Sequence, residues 1–188
     1  KGFICYGGAC QSDALHTPYQ PWKTICEAFF NIDPEATIKR QIRALEGEID
    51  DLAPDRVQSA PLLGSLLSLD IPDNPFTRTL ERQFRKSALT AMIEDCLRGA
   101  AKQNPLLIVI EDVHWIDGIS FELLEALAKA LADCQVCIVL TQRTLEETLT
   151  MTQRLAGLAN VDEIELKELT HAEAGDVIRA KLAQLYPM

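Results

Sequence analysis

Glu111 and Asp112 directly follow five apolar residues, Leu106 to Ile110, and are followed in turn by His114, Trp115 and Asp117. An apolar strand that delivers acids at its C-terminal end, then a turn and a helix, is how nucleotide-hydrolysing α/β domains hold magnesium. Magnesium takes octahedral oxygen ligands and keeps most of its waters, so one or two carboxylates suffice. Consecutive strand residues point to opposite sides, so the two acids are expected to divide the labour. Glu111 is assigned to a magnesium ion through water and Asp112 to an attacking water, or the reverse. The alternative is a pair of solvated acids at a strand exit, or a cap for the next helix.

A second apolar run, Val136 to Thr141, ends close to Arg143. A cation there could reach a γ-phosphate and report its presence, and Thr141 could hydrogen-bond the same phosphate or water. The competing reading of Arg143 is a surface arginine paired with an acid. His114 and Trp115 are given supporting roles, His114 bonding locally and Trp115 packing on the sheet end. Asp117 either caps the turn or orients Arg143.

These residues need elements to position them. Short apolar strands are expected at Phe3–Tyr6, Leu106–Ile110 and Val136–Thr141, with an alternating, half-buried strand at Val161–Leu166. Helical spacing of Trp22, Ile25, Cys26, Phe29 and Phe30 predicts a helix from about Pro21. A second helix is expected from Asp33, a good cap followed by Pro34, with the stripe Ile38, Ile42, Leu45, Ile49 and Leu52. One or two helical turns are expected within Pro61–Leu69. A long helix then runs from about Pro75 to Gln103, with Leu80, Phe84, Leu89, Met92, Ile93 and Cys96 on its buried side.

Ser120 is expected to cap a helix burying Leu123, Leu124, Leu127, Ala128 and Leu131. Capping boxes are read at Thr144 with Glu147 and at Thr170 with Glu173, the latter opening a helix that buries Ala174, Val177, Ile178, Leu182 and Leu185. Continuous apolar strands alternating with amphipathic helices give an α/β fold, a parallel sheet with helices on both faces. Residues 1–188 are read as one partial domain with a helical insertion over about 33–74.

Eighteen basic residues against 28 acidic ones, a formal net charge of −10, argue against nonspecific nucleic-acid or anionic-membrane binding. No apolar run approaches the length of a bilayer span. Lys1 leads almost directly into a strand, so the chain is expected to be a piece of a longer polypeptide. The six cysteines include only one close pair, Cys134 and Cys137, without the paired ligands zinc requires. They are read as reduced, mostly buried side chains of a cytoplasmic protein, a redox or metal role for Cys134 and Cys137 being a minor alternative.

The stretch LLIVIEDVHWIDGISFELL resembles the Walker B segment of the STAND-type branch of AAA-related ATPases. CIVLTQR is similar to that group's sensor strand, which ends in an arginine, and TPYQPWKTI to its Pro-Tyr-x-Pro segment. APLLGSLLSLDIPDNPFT looks most like the ATPase modules fused behind class III adenylate or guanylate cyclase domains. The resemblance implies a three-layer P-loop-type sheet, ATP and magnesium as cofactors of the intact parent, and regulation of an attached effector domain such as a cyclase.

No Gly-Lys pair occurs in the chain, so the phosphate-cradling P-loop is missing. By the family's order, that loop and the central first strand lie upstream of Lys1. The chain alone is therefore expected to bind ATP weakly or not at all, with no tightly held cofactor. An exposed sheet edge left by the missing strand makes self-association plausible. The competing function is a catalytically idle module that signals by packing against flanking domains.

Overall fold

The computed structural model describes residues 2–13, 17–143, 153–155, 157 and 160–185. Three parallel strands form its sheet in the order β1 (Ile4–Ala9), β2 (Leu106–Glu111), β3 (Val136–Leu140). The register sets Ile4 and Val136 on either side of Leu106, and Gly8 and Leu140 on either side of Ile110. Strand β2 is an aliphatic run ending in Glu111 and β3 is aliphatic apart from Cys137, whereas β1 carries Cys5, Tyr6, Gly7 and Gly8. The α/β class is as the sequence indicates.

Helix α1 (Gln20–Phe29) follows β1, and α2 (Ile38–Leu52) begins the helical insertion. A 3-10 segment (Pro54–Leu63), α3 (Gly64–Leu67) and α4 (Pro75–Thr79) lead to the long α5 (Arg82–Gln103). After β2 come a 3-10 turn (Val113–Trp115) and α6 (Gly118–Ala130), which leads into β3. The last described helix is α7 (His171–Leu185).

Leu106, Ile108 and Ile110 are fully buried on one sheet face, in a core with Trp22, Ile25, Met92, Ile93, Leu124 and Leu127. Gly8 lies on this face because α1 crosses it closely: a Cβ on Gly8 would come within 2.3 Å of the Pro21 carbonyl oxygen. Tyr6 packs edge-on against Phe29 on the same side. The opposite face carries Cys5, Leu107, Val109, Cys137 and Val139, all half-buried or exposed. Cys137 is therefore exposed, where the apolar strand pattern pointed to burial.

Four expectations change. The second helix starts at Ile38, not Asp33. Gln41 donates its side-chain amide to the Asp33, Pro34 and Ala36 carbonyls and holds that stretch as a turn. The long helix is two helices, since Leu80 is extended and ends α4 before α5 begins. Asp117, not Ser120, caps α6.

The fourth change is at the C-terminal end. Residues 161–170 form no strand, and α7 has no buried residue. Ile164 and Leu166 are 82% and 90% exposed. Alternation and helical periodicity name the face that would be buried, but burial also needs a surface to pack against. The Thr170 and Glu173 box does form, with Glu173 accepting from the Thr170 amide at 2.8 Å. The Thr144 and Glu147 box lies outside the described residues. No described helix is long and apolar enough to cross a membrane.

Candidate functional site

At the C-terminal end of β2 the chain leaves the sheet abruptly. Glu111 is the last strand residue and its side chain is exposed. Asp112 adopts the left-handed conformation, with φ 55 and ψ 42. A non-glycine residue pays for that conformation and keeps it only where its surroundings fix it. Thr141 supplies the fixing: its Oγ1 accepts the Asp112 amide at 3.1 Å and its carbonyl accepts the Val113 amide at 2.9 Å. Asp112 thus stands outside the strand, so strand alternation does not set its position relative to Glu111.

The next three residues form a single 3-10 turn that carries His114 and Trp115 inward. The His114 side chain is only 2% exposed, and neither ring nitrogen has a hydrogen-bond partner among the described residues. Its Nδ1 stands 3.9 Å from Asp112 Oδ1, beyond hydrogen-bond length. Among the described residues His114 therefore lacks the local hydrogen bond expected of it. The imidazole instead lies against the Trp115 ring, centroids 4.3 Å apart. The Arg143 guanidinium lies over that indole, 5.8 Å from its centroid. Trp115 is half-buried and packs against the core below the sheet end.

Asp117 resolves the choice left open for it. Its Oδ1 accepts the amides of Ile119 at 3.1 Å and Ser120 at 3.0 Å, capping α6. A carboxylate there also suits the positive end of the helix dipole. Trp22, at the start of α1, donates its indole N–H to the Ser120 carbonyl at 3.0 Å. The Pro-Tyr-x-Pro segment is tied to the first turn of α6 by that bond, a link that spacing alone did not reveal.

Cys10 lies near the same acids. Burial pushes its thiol up to about 12, and the charges of Asp117 and Asp112 add to the effect, so it stays protonated. The Tyr19 hydroxyl is raised too, first by burial and then by Asp117.

Glu111 and Asp112 are hard oxygen donors on adjacent residues at an open strand end. Neither forms an ion pair with a lysine or arginine among the described residues, so both remain available to a hydrated cation. That donor set fits magnesium held largely through its own waters. The structure brings Glu111, Asp112, His114, Trp115, Thr141 and Arg143 to one end of the sheet, with Asp117 beside them.

The AAA ATPase domain family model matches residues 4–139, which includes both acids and stops just short of Thr141 and Arg143. An uncharacterized protein of Rhizobium meliloti (strain 1021) is 28% identical over 111 residues, 59% of this chain and 10% of that protein. The chain thus spans about a tenth of the length of that relative. No solved structure matches. The matched span covers well over half of the chain, which belongs to the AAA ATPase domain family.

Proposed function

We propose that this chain is the magnesium and water side of an ATP-hydrolysing signalling module of the STAND type, one that regulates an attached effector such as a nucleotide cyclase. The observation that carries the reading is the pinned left-handed turn at Asp112, which sets two carboxylates at the end of a buried parallel strand. Glu111 would hold magnesium through water, and Asp112 would orient and accept a proton from the attacking water. Magnesium, when bound, supplies charge neutralisation on the phosphates. Arg143 and Thr141 would meet the γ-phosphate from the neighbouring strand end.

The phosphate cradle is assigned to a segment outside this chain, since no Gly-Lys pair occurs within it. Its natural place is beside β3, which among the described residues has β2 as its single neighbour. Six free cysteines suit a reducing compartment, in keeping with a cytoplasmic protein. Calorimetry tests the fragment directly. The reading expects little or no magnesium-ATP binding to the chain alone and binding once the cradle is supplied; micromolar binding to the chain alone contradicts it.

A catalytically idle interaction module is the second reading. The exposed apolar side chains of α7 and the 161–170 stretch favour it, because such surfaces are normally covered by a partner or a neighbouring domain. Absence of hydrolysis after the cradle is supplied would select it.

A further inference from the structure

We infer that Trp115 is a positioning residue: its indole holds Arg143 beside the acid-bearing turn and links that cation, through His114, to Asp112. The inference rests on the proposed reading of Arg143 and Asp112 and adds a part that reading does not contain.

Arginine carries a long, flexible side chain, and a ring beneath the guanidinium narrows the positions it takes. Here the guanidinium sits over an indole, the ring face that attracts a cation best. The other neighbour of that indole is the His114 imidazole, tilted 46° and almost wholly buried. Asp112 comes next, 3.9 Å from the imidazole. Arg143, Trp115, His114 and Asp112 therefore form one unbroken series of contacts.

Both ends of the series lie close in the chain or by hydrogen bond to a single residue. Thr141 bonds the amides of Asp112 and Val113, and Arg143 follows Thr141 by two positions. A shift of the sheet end that moved Thr141 would carry both the acid and the arginine with it. The side-chain stack gives a second path for the same coupling. It also gives a role to a buried imidazole whose ring nitrogens have no hydrogen-bond partner among the described residues, an arrangement that is costly for packing alone. A leucine or phenylalanine at position 114 would fill the space at lower cost.

Fluorine NMR of the chain labelled with 5-fluorotryptophan tests the link without disturbing the core. The two tryptophans give two resonances, which Trp115→Phe assigns. Arg143→Met is expected to shift the Trp115 resonance and leave that of Trp22 in place, and Asp112→Asn is expected to shift it as well, through His114. Arg154→Met, which removes a cation from Phe121 instead, should leave it unmoved. A Trp115 resonance indifferent to Arg143 or to Asp112 overturns the proposal.

Hydrolysis adds a second readout once the phosphate cradle is supplied. Trp115→Leu should lower kcat roughly two- to fivefold, the worth of one exposed cation–π contact, with KM for ATP little changed. Trp115→Phe should restore most of the loss. In an Arg143→Met background, Trp115→Leu should cost nothing more, and losses that multiply would overturn the proposal. A wild type that fails to hydrolyse at all defeats the functional reading instead, and the fluorine shifts still decide whether the stack exists.

Discussion

Thr141 holds the backbone on both sides of the Asp112 α-carbon turn, taking the Asp112 amide on its hydroxyl and the Val113 amide on its carbonyl. One residue of β3's C-terminal end thereby fixes the exit geometry of β2. Thr141→Val keeps the shape and the carbonyl but removes the hydroxyl. The Asp112 amide then loses its partner, and the left-handed turn loses about 1 kcal/mol of support. Urea unfolding should show that loss, and amide exchange at Asp112 should quicken. A Thr141→Ser variant, which retains the hydroxyl, should keep slow exchange.

The cap of α6 offers a separate test. Asp117→Ala removes the acceptor for two amides at the start of a helix that buries Phe121, Leu123 and Leu124. A loss of about 1 kcal/mol is expected by chemical denaturation. Asp117→Asn should cost far less, since a neutral amide oxygen accepts the same bonds. Equal losses for the two variants would mean that charge, not capping, is what matters there.

Gly99 marks where α5 passes the end of α2. A Cβ at this position would come within 2.2 Å of the Leu52 carbonyl oxygen, a clash with backbone that no side-chain adjustment relieves. In a free helix Gly→Ala is stabilising. At Gly99 the sign reverses, and Gly99→Ala should destabilise the chain by ~1–3 kcal/mol. Gly47 has open space around it, so Gly47→Ala should stabilise instead, through helix propensity.

Acid should loosen the insertion before the sheet. Arg85 grips Asp73 through both terminal nitrogens, the closer at 2.7 Å, and also donates to the Thr77 carbonyl. The hydrogen bond from Arg85, followed by one from Thr77, holds the Asp73 carboxyl below the usual carboxylate range. A depressed carboxylate stabilises the fold above its unfolded value and loses that effect as pH falls through the folded one. The contribution is small and salt-screened, because the pair is exposed. Asp73→Asn should therefore lower stability at neutral pH and flatten its dependence below about pH 4. An unchanged acid limb would count against the pair.

The sequence reached the sheet and the site unevenly, for physical reasons. Strands β2 and β3 were legible because parallel strands of this kind read as continuous apolar runs even where one face stays open, and β2's acids stand at its end in plain view. The left-handed turn at Asp112 was not legible, because no glycine or asparagine marks it; tertiary bonds from Thr141 impose it. Asp33 reads as a helix cap, yet Gln41 reaches back to three carbonyls and displaces the start to Ile38. The break at Leu80 is likewise hidden in a sequence whose apolar spacing continues across it. Residues 161–185 carry the right periods for burial, and the described residues offer them no surface.

Strand β3 has a free side among the described residues, and the face carrying Cys137 and Val139 lies open beside it. Parallel sheets are ordinarily covered on both faces. The isolated chain is accordingly expected to associate as its concentration rises. Sedimentation should register that association, and Val139→Lys, placing a charge on the open face, should reduce it. A monomer at all concentrations in both forms would contradict the expectation.

Hydrolysis of magnesium-ATP by the polypeptide with its phosphate cradle supplied decides whether Asp112 and Arg143 act on the phosphate, with wild type measured against Asp112→Asn and Arg143→Ala. Turnover should fall roughly a hundredfold or more when Asp112 loses its charge, and Arg143→Ala should likewise slow it sharply. Hydrolysis untouched by both substitutions would mean that the acid at the end of β2 and the cation at the end of β3 are not the groups that act on the phosphate.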